Sequence, residues 1–478
     1  MARSLALVQS SVKPGTAQAR RTAWQNELQR NGLLDTFGTR KRGGRAGRLS
    51  FYTMDGTVKI ALVGTGMFGG DVHARAYADL QRAGIGPQLG RVGLDGWARD
   101  LGPIQFQLAA VAARTEKSAR RAREKFKRWT GYAPRAFAGP KPWRDILRAF
   151  PDLDVMAVAT PDPLHAEVIL AALKAGVHVI TEKPMCLEIA EADQIIALAQ
   201  AKGRIVAVDM HKRYDPDHLR IRDEIRQRIG EPLYGTAYLE EPLHVSTRTF
   251  KWAEQSDPFS YVGTHWVDLI YHYYRSKPVS LTAVGQKKRL VREGINAYDA
   301  VQVRVDFTNG MSISFHNNWI TPPDFEGPVN QGHEIVGANG KVESDQQYRG
   351  LRWWAEGGGS RTANNHFTRE VKRPDGSAAY VGYGIDSLTV GLAAMCRVKF
   401  FGASRASLAE LYPTAEDARI VVAIVHAARV VRDMNFKYLR AGKGAPVTAR
   451  FGKDGITIVD PYGAGARAKF QRVYRQPI

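Results

Sequence analysis

Three things are scarce in this chain. There are only two cysteines, Cys186 and Cys396, in 478 residues. Two cysteines can build neither a disulfide framework nor a four-sulfur zinc site, so a reducing, cytoplasmic setting is the expectation. Uninterrupted apolar stretches are short, and none approaches the roughly 18–20 residues that a membrane-spanning helix needs. Acidic residues are few beside basic ones, 47 Asp and Glu against 68 Lys and Arg, for a net charge of +21. Such an excess is one mark of nucleic-acid binding. Much of it, however, lies before residue 54, where ten basic residues face only Glu27 and Asp35. A basic enzyme surface also draws anionic ligands such as dinucleotide phosphates. Nucleic acid is therefore not the expected partner. The sequence pattern also offers no internal repeat and no cluster with metal-ligand spacing, so no metal is expected.

What is present fits a soluble globular enzyme. Hydrophobic residues make up 44% and charged residues 24%, ordinary values for a chain long enough for two or three domains. Residues 1–56 read as a basic, disordered extension. They carry the run Arg40-Lys41-Arg42-Gly43-Gly44-Arg45 and lack the apolar core of a secretory signal. A disordered tail, or translated upstream sequence ahead of a start at Met54, both accommodate them.

From Thr57 the texture changes. Residues 58–63 (Val-Lys-Ile-Ala-Leu-Val) form a β-prone apolar run, and Gly64-Thr65-Gly66-Met67-Phe68-Gly69 follows at once. Strand, glycine turn and helix in this order suit a dinucleotide. Gly64 permits the tight turn, Gly66 lets backbone approach a pyrophosphate, and Gly69 lets helix pack closely on strand. Met67 and Phe68 belong to the same cofactor-binding turn. The second strand is read at residues 108–112, after an insertion around 84–106. It ends in Ala113-Arg114-Thr115. No carboxylate stands there to repel a 2′-phosphate, Arg114 can pair with one, and Thr115 can hydrogen-bond it. NADP(H) is expected over NAD(H), with Arg114 stacked on adenine as the alternative.

Residues 154–159 form another buried-strand pattern, followed by Thr160-Pro161-Asp162-Pro163-Leu164-His165 and a helix stopped by Gly176. The strand His178-Val179-Ile180-Thr181 then runs into Glu182-Lys183-Pro184. This is a parallel βαβ unit, with both polar segments at carboxyl strand ends, where ligands bind in such sheets.

The glycine turn 64–69, the Thr-Pro-x-x-x-His segment 160–165, the Ala-Gly-x-His-Val stretch 175–179 and the Glu-Lys-Pro ending 182–184, in this order and spacing, resemble the Gfo/Idh/MocA oxidoreductases. The resemblance is clear over about residues 57–210. It implies an α/β fold class: an N-terminal Rossmann dinucleotide-binding domain, taken as 57–207, and a C-terminal α/β domain with a large, mostly antiparallel open sheet, taken as 208–478. It further implies tight binding of a nicotinamide cofactor and redox chemistry on ring hydroxyls of sugars, glycosides or cyclitols. Homodimers or homotetramers through the C-terminal sheet are part of the same expectation. Thr160, Pro161, His165, Glu182 and Lys183 would border the cofactor.

Oxidising an alcohol needs a base for the hydroxyl proton, and reduction needs the matching acid. Lys183 fits that role. Downstream, Tyr261, His265 and Asp268 share one helical face and look like the family's catalytic pattern Asp-x-x-x-His-x-x-Asp, with Tyr261 where many members have a carboxylate. His265 would hold the substrate hydroxyl and relay its proton. Asp268 would orient that imidazole or anchor the helix. Lys212 and Arg213, in a stretch 209–215 that matches the family's basic-aromatic segment, would meet substrate hydroxyls or cofactor, or form domain-interface ion pairs. Either Lys183 and His265 move the proton without Tyr261, or Tyr261 takes part. Period-two runs at 300–307 and 312–316 around Asn309-Gly310 read as an antiparallel hairpin, 353–366 as a loop near substrate, and 414–435 as a helix. A glycosidase using transient oxidation with bound NAD, and a non-catalytic nucleotide-binding protein, are the other readings.

Overall fold

Strand-forming apolar runs of three to nine residues recur through the first half of the chain, and all but the partly exposed one at 135–138 are largely buried. In the computed structural model, which describes residues 56–463 apart from Asp375 and Asp454, together with the strand Lys469–Tyr474, six of them assemble into one parallel sheet. They are β1 (Thr57–Val63), β2 (Gln105–Ala113), β3 (Arg135–Ala138), β4 (Val155–Val158), β5 (His178–Thr181) and β6 (Val206–Val208), in the order β3-β2-β1-β4-β5-β6. The order reverses between β1 and β4, which opens a crevice at their carboxyl ends. The extension expected over 1–56 lies outside the described residues, Gly56 apart.

The two faces of this sheet feed different cores. Ala61, Val63, Met156, Val158 and Val179 face the helices α3 (Pro142–Ala149), α4 (His165–Lys174) and α5 (Ile189–Lys202). Ile60, Leu62, Val155, Ala157 and Ile180 face α1 (Ala74–Ala83) and a helix from far along the chain, α8 (Tyr383–Phe401). The remaining helix here, α2 (Glu116–Thr130), is N-capped by Thr115, whose Oγ1 accepts from the Ser118 amide. The stretch read as an insertion is two short helices, Gly86–Arg91 and Asp95–Leu101; Leu89 and Leu101 are buried in the same core as α8.

α8 runs close to the sheet because Gly391 has no side chain: a Cβ there would meet the Ala207 Cβ at 3.1 Å. A division of the chain at residue 207 therefore has one exception in space, since α8 completes the core of the parallel sheet.

After α6 (Pro216–Ile229) the chain builds a second sheet from β7 (Pro232–Pro242), β8 (Pro278–Gln286), β9 (Ala300–Phe307), β10 (Ser312–Thr321), β11 (Asn330–Gly337), β12 (Gly340–Asp345), β17 (Thr448–Gly452), β18 (Gly455–Asp460) and β19 (Lys469–Tyr474). Its order is β12-β11-β7-β10-β9-β8-β17-β18-β19, and only the β10–β7 pair is parallel. Val301, Val303, Val305, Ile313 and Phe315 alternate onto one buried face, the face covered by α7 (Thr264–Tyr274) and α9 (Ala415–Arg440). The expected hairpin at 300–316 is β9–β10, with Gly310 at φ 83° in its turn. Thr414 caps the late helix, its Oγ1 accepting from the Asp417 amide at 3.0 Å.

The expected loop at 353–366 is instead mostly a two-stranded ribbon, β13 (Arg352–Ala355) against β14 (Gly359–Thr362). Gly357 and Gly359, at φ 70° and 64°, supply the turn, and Trp353 and Trp354 stand exposed on the ribbon. A second ribbon, β15 (Arg369–Lys372) with β16 (Ala378–Val381), leads into α8.

Because α8 covers the parallel sheet, Leu392, which is fully buried in that core, should matter as much as any strand residue. Leu392→Ala is expected to cost about 2–5 kcal/mol in denaturant unfolding. A loss under about 1 kcal/mol would mean that α8 packs loosely on the sheet.

Candidate active site

The glycine turn is built for close backbone approach. Gly64 has φ 100°, and a Cβ on it would lie 2.1 Å from the Ala159 carbonyl oxygen. A Cβ on Gly69 would lie 2.1 Å from the Gly64 oxygen. Gly66 is different: it is exposed, and its Cβ would meet nothing within 4 Å. Two of the glycines are thus required by the protein's own packing and the third leaves open room over the turn, which is where a pyrophosphate needs it. Buried polar atoms border the same crevice: Thr160 Oγ1 and His265 Nδ1 have no hydrogen-bond partner among the described residues. The residues present fit a dinucleotide.

Lys183 follows β5 and is buried. Its Nζ donates to the Tyr261 carbonyl oxygen at 2.9 Å and lies 3.9 Å from the centre of the Tyr261 ring. Two N–H groups of the ammonium remain. Tyr261 sits in a short helical turn, Phe259–Gly263, that runs straight into α7. The β5 end and the start of α7 are therefore held together at Lys183. His265, one turn on, lies with its ring centroid 4.6 Å from that of His211. His211 in turn packs against Phe68, Phe367 and Tyr383 at 6.0, 5.2 and 5.7 Å. The residue after Met67 in the glycine turn thus meets the second domain's side chains through a wall of rings.

Burial sets the charge states. Desolvation, then the charges of Lys183, His211 and Lys212, hold His265 well below the usual histidine range, so its imidazole is neutral. Burial lifts the Tyr261 phenol well above its ordinary value, with Glu241, Asp162 and Glu182 adding to the effect. Burial also brings Lys212 down to about 7 and Glu241 up to about 7, the latter against the pull of Lys183. Lys212 donates to Gln331 Oε1 at 2.7 Å and lies over the Trp266 ring at 4.8 Å.

Several expected roles change with this geometry. His165 is not free for a cofactor: its two ring nitrogens lie 2.7 Å from the carbonyl oxygens of Pro184 and Thr160, so it braces the loops after β4 and β5. Glu182 is buried with Oε1 3.1 Å from His73 Nε2, directed at the first helical turn of the sheet domain. Arg213 and Asp268 are not aimed at substrate. Arg213 Nε and Nη2 donate to the two Asp268 oxygens at 2.8 and 2.5 Å, and Nη1 donates to Asp417 at 2.9 Å. This buried fork ties α7 to α9, so Asp268 anchors the helix and leaves the His265 ring alone. Tyr261 offers its carbonyl and its ring face to Lys183, and a phenol pushed further from ionisation is a poor proton carrier.

Arg114 and Thr115 are exposed at the β2 end. No hydrogen bond or ion pair among the described residues holds the Arg114 guanidinium, while Thr115 Oγ1 is engaged at the start of α2.

Residues that sequence reasoning left out are His211, Asp162 and Glu241. Only the first two had a signal, their places beside motifs at strand ends. His73, Glu182 and Asp209 also come together, with ligand-type atoms within 4.8 Å. The bond from His73 to Glu182, and that from the Ser387 hydroxyl to Asp209, hold this group as a polar network.

Comparison with known proteins bears on the whole arrangement. Residues 58–210 match the model of an oxidoreductase family with an NAD-binding Rossmann fold, and residues 218–343 match the GFO/IDH/MocA C-terminal domain. The chain belongs to the Gfo/Idh/MocA oxidoreductase family. This Gfo/Idh/MocA chain is 27% identical over 198 residues to a 1,5-anhydro-D-fructose reductase of Ensifer adhaerens, covering 40% of this chain and 57% of that one. It is 28% identical over 200 residues to an inositol 2-dehydrogenase of Acidothermus cellulolyticus, covering 40% and 54%. The matches thus span little more than half the length of these relatives. A crystal structure of myo-inositol 2-dehydrogenase from Lactobacillus plantarum shares the fold, with TM-score 0.59 and 17% identity over 80% of this chain and 98% of that one. The family is one of oxidoreductases with an NAD-binding Rossmann fold, and no helix among the described residues is long and apolar enough to cross a membrane.

Two outcomes follow from this family member's site. Gly66→Ala is expected to leave thermal stability nearly unchanged and to weaken nucleotide binding at least about tenfold, since the new methyl group enters only the ligand's space. Unchanged affinity by calorimetric titration would remove the phosphates from this turn. The second outcome concerns Lys212. The folded state releases its proton near pH 7 and the unfolded state near 10.5, so between these values the unfolded chain binds more protons. Wild type should therefore gain stability relative to Lys212→Met as pH rises from about 7 to about 10, by at most about 1.4 kcal/mol per pH unit. Parallel stability curves for the two proteins would mean that the lysine is charged in place.

Proposed function

We propose that this protein interconverts a ring hydroxyl and the corresponding ketone of a sugar, glycoside or cyclitol, with NADP(H) in preference to NAD(H). The observation that carries the reading is the junction of Lys183 with the start of α7. A buried ammonium with two free N–H groups and a neutral imidazole both face the crevice below the glycine turn. The relatives named above, a sugar-derivative reductase and an inositol dehydrogenase, act on ring compounds of this kind.

A bound nicotinamide would supply the redox half of the reaction, as acceptor or donor of hydride. Gly64, Gly66, Met67, Phe68 and Gly69 would hold its pyrophosphate end, with Thr160 and Pro161 along the crevice. Arg114 and Thr115 would take the adenosine end. The Arg114 guanidinium, unpaired among the described residues while the nearby Glu116 carboxylate is engaged by Arg120, favours a 2′-phosphate there.

The chain's own residues handle the proton. Neutral His265 accepts or donates a hydrogen bond to the reacting hydroxyl and fixes its direction. As the neutral amine, Lys183 takes the hydroxyl proton during oxidation and becomes the ammonium; as the ammonium it gives that proton back during reduction, and in both forms an N–H steadies it on the Tyr261 carbonyl. The aromatic wall of Phe68, His211, Phe367 and Tyr383 excludes water from this exchange. In this reading residues 57–207 bind nucleotide, and residues 208–478 bind substrate and supply the surface for self-association.

The test begins with the nucleotide released from the purified protein, followed by titration of NADP⁺ and NAD⁺ and a screen of cyclic polyols at 340 nm. The expected results are tighter NADP⁺ binding and turnover that falls about 10²–10⁴-fold in Lys183→Ala. Near-normal turnover in that variant would remove Lys183 from the proton path, and tighter NAD⁺ would remove Arg114 from its role.

A further inference from the structure

Two histidines stand together at the candidate site, and the proton path uses only one of them. His211 opens the short turn His211–Tyr214 after β6. Its ring centroid is 4.6 Å from that of His265, with the two planes 53° apart. Both residues are buried. The two rings share one pattern. In each, Nδ1 is enclosed and has no hydrogen-bond partner among the described residues. In each, Nε2 is not enclosed, and no described residue bonds to it. Two open ring nitrogens therefore stand on neighbouring rings.

The pocket is the one that holds Lys183. Phe68, in the glycine turn, has its ring centre 5.9 Å from the Lys183 ammonium nitrogen. The same ring lies 6.0 Å from that of His211 and nearly parallel to it. His211 is thus in ring contact with His265 on one side and with the glycine turn on another. A cyclic ligand whose hydroxyl reaches Lys183 and His265 brings its next hydroxyl toward His211.

Asp209 stands behind the imidazole. Its Oδ2 lies 3.7 Å from His211 Nδ1 and, like that nitrogen, is buried without a hydrogen-bond partner among the described residues. Asp209 is itself held in place. Its amide donates to the Thr181 carbonyl at 2.7 Å, and its Oδ1 accepts from the Ser387 hydroxyl of α8. A carboxylate on that side favours the tautomer with the proton on Nδ1, which leaves Nε2 as an acceptor. Phe68, Phe367 and Tyr383 pack on the ring and fix its plane. Packing alone asks for no nitrogen here. A buried imidazole with an acid behind it and an open nitrogen in front suits hydrogen bonding to a ligand.

We propose that His211, held by Asp209, binds the hydroxyl next to the one that reacts, so that the site selects substrates with two adjacent ring hydroxyls. This rests on the proposed function, in which Lys183 and His265 take the reacting hydroxyl. Neighbouring hydroxyls of a sugar or cyclitol project from adjacent carbons, and two adjacent imidazoles match such a pair. The second O–H donates to His211 Nε2 and keeps its proton throughout. A substrate without that hydroxyl leaves the nitrogen unpaired in a closed site, which weakens binding. The same contact fixes how the ring is turned, and so which hydroxyl stands before Lys183.

The probes are cis- and trans-1,2-cyclohexanediol and cyclohexanol. Each is titrated by NMR against the full-length protein saturated with NADP⁺, and turnover is followed separately at 340 nm. Wild type should bind at least one diol about tenfold more tightly than cyclohexanol, the worth of one good hydrogen bond. His211→Phe keeps a ring against Phe68, Phe367 and Tyr383 and should bring that ratio below about threefold. His211→Asn, which keeps an amide toward Asp209 and loses the outer nitrogen, gives the same reading if the phenylalanine variant folds poorly. His211→Gln, whose amide reaches toward the place of Nε2, should keep part of the preference. Asp209→Asn keeps an oxygen for the Ser387 hydroxyl and should lower the preference in part.

Equal affinity of wild type for the diols and cyclohexanol overturns the proposal. So does a diol preference that survives in both His211→Phe and His211→Asn, or a loss of affinity that falls on all three probes alike, which is the mark of a structural role. A preference lost with His211 in a protein that oxidises no cyclic alcohol upholds the contact and counts against the proposed function. Oxidation of the diols and cyclohexanol with equal kcat/KM does the reverse.

Discussion

Among the contacts that join the two halves of this molecule, one hydrogen bond lies at the candidate site itself. The Lys183 ammonium, at the end of a strand in the parallel sheet, donates to the Tyr261 carbonyl, at the start of a helix that lies on the other sheet. If either end moved, the lysine would lose its direction. Much of the surrounding structure can be understood as holding those ends still. His165 braces the loops after β4 and β5 from beneath. The Arg213 fork onto Asp268 and Asp417 pins α7 to α9. Thr414, which caps α9, forms a lone bridge with Ala207 in β6, so the same helix is tied back to the parallel sheet. Buried ion pairs of this kind add little net stability over an apolar core but are costly to break, about 3–5 kcal/mol when one partner is removed. They suit a joint that must keep one geometry.

The sequence carried the parallel sheet almost whole, because its signals are local. A strand, a Gly64-x-Gly66-x-x-Gly69 turn and a helix declare themselves within some fifteen positions, and the backbone demands on Gly64 and Gly69 turn out to be steric requirements. The hairpin at 300–316 was legible for the same reason, through period-two alternation and an Asn-Gly turn. What was not legible is what arrives from far away. α8 drew no assignment from the sequence, and nothing in its own residues says that it belongs on the first sheet. The ribbon around Trp353 is Gly-rich and polar, which resembles a loop until its strands are seen paired.

The site divides along the same line. Lys183 and His265 stand in motifs, and both reach the crevice. Asp268, Arg213 and His165 stand in motifs too, yet they face inward as braces, because a motif preserves whatever the fold needs at that position, chemistry or support. Glu241 has no motif at all. It is a glutamate at the end of a strand, 58 positions from Lys183 in the chain, and only the packing of Trp319 and Tyr261 makes it a neighbour of the lysine's pocket. Residues of this class can be found only after the fold is known.

The concentration of buried ionisable groups is itself an argument about purpose. Lys183, Lys212, Glu241, Asp162, His211 and His265 are all buried around one crevice, and only some of their charges are paired. A chain selected for stability alone would gain by exchanging them for apolar side chains of similar volume. Their burial moves Lys212 and Glu241 from opposite directions toward neutrality of pH, one down and one up, each to about 7. It also strips His265 of its charge. The Lys212 and Glu241 shifts are of the kind that marks a candidate functional site. The Tyr261 phenol moves the other way, further from ionisation. A tyrosine at that position therefore adds no readily ionised group beside His265 and Lys183.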